Sequence, residues 1–424
     1  MIHIQTQPNV DAALDGVSDI AVSTDGKFVY AAAYSTSTLS IFQRDLATGM
    51  LTYRAKMIGV STAFSVDVSP DNKNVYAASP AGNVFSYSRD LTTGALTSIG
   101  ATGNAGGTAG FVSVNVSADS KNVYGVGGQP SGLVVFDRNT TTGAITVAAD
   151  YKDNINGHDD LGQLYGPQTS PIKNIVSSPN GQFVYVTSTA DNAVTLFSRD
   201  AVTGALSQLV VYKDGVGGVD GLLAASSAKI SPDGKHLYVS GQAENSVAIF
   251  SVNSVTGELT YLEKITNGVA GISDMQGVRS LAVSPDGRYV YASAIVSDSV
   301  TVFTRNSTTG LLTFDSKAIN NNGGVTGLDN PSGMASDPSG RHLYVTGQSA
   351  NSIVVFSLPT PSVQLSVTTG TAAFNGAATI LDPQLRVIDA DSPNLTSATV
   401  SIGAGFVSTD LLSESHRLPW RLNS

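Results

Sequence analysis

Side chains able to do chemistry are sparse in this chain. Its 424 residues hold five histidines, no cysteine, and 33 carboxylates against 23 lysines and arginines. His158 is the one histidine in a polar loop. With Asp159 and Asp160 beside it, it is a candidate general base or ligand. Three charged residues, Asp19, Lys173 and Arg279, precede or open short apolar stretches and are candidate ligand-binding groups.

A second class of candidates lies in glycine-bearing loops at 153–160, 214–220, 267–274 and 322–329. There Asp and Asn recur six or seven residues apart. Oxygen ligands so spaced suit a hard cation, which makes Asp159, Asp160, Asp214, Asp220, Asp274 and Asp329 candidate Ca²⁺ ligands. The competing reading is that Asx and Gly simply turn the chain. No cofactor is expected, and Ca²⁺ is the one candidate ion. Arg44, Arg89, Arg138, Arg199 and Arg305 each precede Asp or Asn in a turn, and Val252 stands where a sixth would fall. They read as structural. His236 and His342 share a position with Phe28, Phe183 and Tyr289, so a flat packing group is wanted there.

The elements that must carry these groups come from a repeat. Tyr30, Tyr76, Tyr124, Tyr185, Tyr238, Tyr291 and Tyr344 recur at spacings of 46, 48, 61, 53, 53 and 53 residues. Units of about fifty strand-like residues point to a propeller. The fifth copy shows the plan: Ala228–Ile230, a Pro232-Asp-Gly234 turn, Leu237–Ser240, Ser246–Phe250, a turn at Asn253–Gly257, then Leu259–Leu262. The third strand is apolar on both faces, as a strand sandwiched between blades must be. The fourth alternates and carries charge, as at an exposed edge. Thr-Gly turns recur six times, the last at Thr309-Gly310, so the seventh copy lacks a fourth strand. Residues 2–7 have no unit of their own and are expected to supply it. The sequence thus predicts an all-β, seven-bladed propeller of four-stranded antiparallel blades over 1–357, with a partial sandwich-like segment over 358–424. The long third spacing predicts an insertion within 153–168, projecting from the loop face.

The Ser-Pro-Asp turns at Ser69, Ser231 and Ser284 resemble those of the lactonase-type seven-bladed propellers and the bacterial YVTN-type surface repeats. So do the Tyr-bearing strands and the turns Phe42–Leu51, Tyr87–Leu96 and Phe197–Leu206. The resemblance spans 1–357 and implies the fold, with lactone hydrolysis in an axial pocket through His, Arg and Glu as the activity, a base activating water and a cation holding the carboxylate product. On that resemblance Lys173, Arg279 and His158 are the catalytic candidates. Ala378–Pro383 and Leu385–Leu395 resemble the opening strands of cadherin-like bacterial adhesin domains.

The net charge of −10 and the lack of a basic stripe exclude nucleic acid as a partner. No apolar run reaches membrane-spanning length, and the N-terminus does not read as a signal peptide. The approaches to the innermost strands offer Asp19, Lys173 and Arg279 but no His or Glu. With the adhesin-like tail, this points to a monomeric binding or structural module of a bacterial surface or secreted protein. Such a module would recognise a small molecule, glycan or protein at its loop face, and negligible lactonase activity is expected. The alternative is a lactonase of the 6-phosphogluconolactonase type at the central channel, in which case a cytoplasmic location is the alternative.

Overall fold

The computed structural model describes residues 1–103, 110–127, 132–152 and 174–358, with two short segments, 364–366 and 386–388, beyond them. Seven antiparallel four-stranded sheets follow one another along residues 1–358. Blade five is typical, with strands Ala225–Ile230, His236–Gly241, Ser246–Val252 and Leu259–Thr266 from axis to rim. Its second strand is buried throughout and its outermost strand alternates, as the apolar patterning requires.

The seventh blade is built from both ends of the propeller. Ile2–Gln7 pairs antiparallel with Ser352–Ser357, Ile2 opposite Ser357 and Gln7 opposite Ile353. Gln5 also reaches blade one, donating to Leu51 O at 2.9 Å and accepting from Leu51 N at 2.7 Å. Deleting residues 1–7 removes both connections and should lower the Tm by roughly 5 °C or more. An unchanged melting temperature would show that this strand does not close the ring.

The core is a set of seven apolar layers, each made by two neighbouring blades, including one that joins blade seven to blade one. The repeated tyrosines are fully buried within them. Five of their hydroxyls reach a glycine carbonyl of the next blade, among them Tyr30 to Gly94 O at 2.9 Å, Tyr76 to Gly143 O at 2.7 Å and Tyr344 to Gly49 O at 2.8 Å. The flat groups noted in the sequence press on the same glycines. A Cβ at Gly49 would overlap the His342 ring, and one at Gly94 the Phe28 ring. His236 and His342 are thus packing groups, as their shared position implies.

The repeated arginines clasp neighbouring blades. Arg89, Arg138, Arg199 and Arg305 pair with Asp25, Asp71, Asp119 and Asp233 of the preceding blade at 2.8–2.9 Å, and Arg44 pairs with Asp337. Arg44 Nε also donates to the Tyr344 hydroxyl at 2.6 Å, and Arg89 Nε to that of Tyr30 at 2.8 Å. Two joints lack the clasp. Between blades four and five, Asn180 and Val252 occupy the two positions. Between six and seven, Leu358 stands where the arginine would be.

Pro359–Ser424 form a separate unit, of which only the pairing of Gln364–Ser366 with Arg386–Ile388 is described. The adhesin-like reading of 358–424 and the predicted insertion at 153–168 fall almost wholly outside the described residues.

Candidate active site

Each blade presents its innermost strand edge-on to the axis, so that edge has backbone N–H groups without a neighbouring strand. Such groups need acceptors. Side chains of the adjacent blade supply them. Asp19 accepts from Val66 N at 3.0 Å, Ser65 from Val114 N at 3.3 Å and Asp67 from Val116 N at 2.8 Å. Asn174 accepts from Ala228 N at 3.2 Å and Ser227 from Leu281 N at 3.3 Å. This belt makes the channel wall polar.

The wall encloses a cavity of about 330 Å³. Its lining brings together Asp19, Asp67, Asn115, Asn174 and Lys229 from five different blades. Asp19 also accepts from the Ser65 hydroxyl at 2.8 Å and from Ile20 N at 2.9 Å. Burial pushes its pKa up against those hydrogen bonds. Burial likewise raises Asp67 to about 6, partly offset by the Val116 and Val68 amides and the Lys229 charge. A carboxyl so placed titrates close to neutrality, the range a general base needs. Lys229 has no hydrogen bond or ion pair to any described residue. Among the described lining residues it is the one cation.

Neither Asp67 nor Lys229 is among the residues singled out from sequence. Both lie within the innermost strand, opposite the repeat tyrosine: Asp67 faces Tyr76 and Lys229 faces Tyr238. The matching positions are Ala21, Asn115, Val176, Ala282 and Ala335. Three polar residues in a ring otherwise small and apolar are the signal that would have found them.

Of the residues that were singled out, Asp19 lines the cavity. Arg279 lies at the loop-side start of the blade-six inner strand Val278–Val283, buried, with its pKa lowered to about 10 by burial. Lys173, His158, Asp159 and Asp160 lie outside the described residues.

The cation candidates divide between blades. Asp214 and Asp220 come together with Glu244, a partner the loop pattern does not contain. Lys264 already stands in that group, 2.7 Å from Asp220 and 3.6 Å from Glu244. Asp274 pairs with Lys317. Asp329 accepts from Ser349 N through its backbone at 3.2 Å. Two of these groups, Asp214–Asp220–Glu244 and Asp274, thus carry their own lysine.

Residues 2–114 and 168–326 match the model of the family described as "Lactonase, 7-bladed beta-propeller", and the chain belongs to that family. A curated relative from Arthroderma benhamiae, named a probable 6-phosphogluconolactonase, is 27% identical over 165 residues, covering 36% of this chain and 39% of the relative. The 6-phosphogluconolactonase of Bacillus subtilis is 23% identical over 149 residues, covering 35% and 41%. The matches thus span about two fifths of each relative's length. Among solved structures, a putative 6-phosphogluconolactonase from Bacteroides fragilis superposes with a TM-score of 0.59 at 20% identity, covering 74% of this chain and 85% of that one. A periplasmic gluconolactonase from Pseudomonas aeruginosa gives 0.59 at 18%, covering 74% and 86%. At these identities the structural likeness establishes the fold.

The expectation of a surface binding module is thereby overturned, since the matching family is a lactonase family and both of these relatives are named 6-phosphogluconolactonases. It rested on the lack of His and Glu in the approaches to the inner strands. Asp67 and Lys229, which join Asp19 in the cavity wall, lie further along those strands. The cell-surface placement rested on the C-terminal segment, which lies almost wholly outside the described residues. Among the described residues no helix is long and apolar enough to cross a membrane.

Proposed function

We propose that this protein is a lactone hydrolase, of the 6-phosphogluconolactonase type, and that the reaction takes place in the axial cavity. The observation that carries the proposal is the meeting of two half-buried carboxyls, Asp19 and Asp67, with Lys229, which no described residue pairs, in the wall of one cavity. Family membership supplies the reaction class, and the relatives' names put 6-phosphogluconolactone first among substrates to assay.

In this reading Asp67 takes a proton from water as the water oxygen bonds to the lactone carbonyl carbon. The Lys229 ammonium stabilises the tetrahedral oxyanion. Collapse breaks the ring C–O bond, Asp67 returns the proton to the leaving alkoxide, and the hydroxy acid departs as its carboxylate. Asp19, with its oxygens held by Ser65 and two backbone amides, keeps the wall in place.

The test is hydrolysis of 6-phosphogluconolactone and gluconolactone, each measured against its spontaneous rate. Wild type should exceed the spontaneous rate, and Lys229→Met should lower kcat about 10²-fold, as loss of an oxyanion donor does. A wild-type rate no faster than the spontaneous one would end the hydrolase reading. A Lys229→Met enzyme with full kcat would move the chemistry out of this cavity.

A further inference from the structure

Six arginines are buried in the described structure: Arg44, Arg89, Arg138, Arg199, Arg279 and Arg305. Five are neutralised by an aspartate of the neighbouring blade. Arg279 is not. It is only 6% exposed, yet no described carboxylate pairs with it. Its side-chain partners are two neutral amide oxygens, Gln348 Oε1 at 3.1 Å and Asn330 Oδ1 at 3.5 Å, both on Nη1. Its Nε has no acceptor. A buried guanidinium with donors unspent is a costly arrangement unless something else completes it.

Its place in the blade makes the exception sharper. Arg279 is the unpaired residue of a β-bulge where the ladder shifts between Val278 and Ser280. The same bulge occurs in blades one, three and five, at Ser18, Val112 and Ser226. Bulges re-aim a side chain. Ser18 and Val112 line the cavity, as do Phe64 and Ser332 at the corresponding places in blades two and seven. The serines donate to the next blade's carbonyl: Ser18 to Phe64 O at 2.7 Å, Ser226 to Arg279 O at 3.0 Å. A serine at 279 would serve the fold as well, so packing does not explain a guanidinium there.

We propose that Arg279, with the amides of Asn330 and Gln348, forms an anion subsite next along the strand from Ser280 of the cavity wall, taking a phosphoryl or carboxylate group. Guanidinium donors in a fixed fork suit both groups. That the anion is carried by a lactone substrate, or by the hydroxy acid it becomes, rests on the hydrolase reading. The existence of the site does not.

The experiment is isothermal titration of the full chain with 6-phosphogluconate, gluconate and inorganic phosphate, for wild type, Arg279→Gln and Arg279→Lys. Wild type should bind 6-phosphogluconate, with Arg279→Gln weakening it roughly tenfold or more and Arg279→Lys falling between. Competition by inorganic phosphate assigns the phosphoryl group to Arg279, and competition by gluconate assigns the carboxylate. Arg279→Gln should melt no lower than wild type, because it removes an unpaired buried charge. Equal affinity of wild type and Arg279→Gln, or no binding of any probe to wild type at millimolar concentration, would overturn the site. If binding depends on Arg279 but wild type hydrolyses no lactone above background, the hydrolase reading fails and the anion site stands.

Discussion

Asp67→Asn is expected to lower kcat for lactone hydrolysis by about 10²–10⁴-fold, the usual worth of a positioned general base. The amide keeps an oxygen to accept from Val116 N but has no basicity. The wild-type kcat/KM should rise with pH through about 6, where burial has brought the Asp67 carboxyl, and that limb should vanish in the variant. A stability measurement separates chemistry from folding. The folded pKa of Asp67 is raised, so its contribution to stability is full below the unfolded value near 4 and is lost as pH rises through about 6. Asp67→Asn should therefore flatten the dependence of Tm on pH between 4 and 7 without lowering it at pH 8. Full activity with an intact acid limb in this variant would remove Asp67 from the mechanism.

Asp337→Ala is expected to cost roughly 3–5 kcal/mol of unfolding free energy at pH 7, the range for leaving one member of a buried pair alone. Asp337 and its partner Arg44 are both almost fully buried, and His342 and the Tyr344 hydroxyl complete the group. Asp286, at the matching position of blade six, pairs instead with the part-exposed Arg288 of its own blade at 2.6 Å. Asp286→Ala should cost about 1 kcal/mol or less. Burial alone would raise the Asp337 pKa, but hydrogen bonds from His342 and Ser339 and the Arg44 charge bring it down to about 2. Because that value is lowered, the stabilisation is present above the unfolded value near 4 and is lost as pH falls through about 2. The gap between wild type and Asp337→Ala in urea denaturation should close over that window. Equal costs for the two alanine variants would refute the clasp.

The fold was legible because most blades solve the same packing problem with the same residues. A tyrosine must reach a glycine carbonyl next door, a tight turn must hold an aspartate for the neighbour's arginine, and a flat group must lie on a glycine without a Cβ. Even the N-terminal strand of blade seven followed, from one missing Thr-Gly turn. The site was less legible because it obeys no repeat. Asp67 and Lys229 are single departures at a position that is small or apolar in four other blades, visible only when the residues facing the tyrosines are lined up. Asp19 and Arg279 stood out because charge is rare near the strand starts. Glu244 joins Asp214 and Asp220 from a turn that loop spacing alone does not connect to them.

The unequal joints give the ring a mechanical grain. Five seams are riveted by the repeated ion pair, and two lack it. Those two cut the circle into arcs of blades five and six on one side and seven, one, two, three and four on the other. The Tyr291 hydroxyl at the six–seven seam has no partner among the described residues, so this seam lacks the tyrosine anchor as well. The place where the propeller's first and last strands meet is not its weak point, because it lies inside the blade-seven sheet, next to the riveted seven–one seam. Opening under load or heat is expected first at six–seven, which faster amide exchange along Val300 and Val302 than along the inner strands of the riveted seams would show.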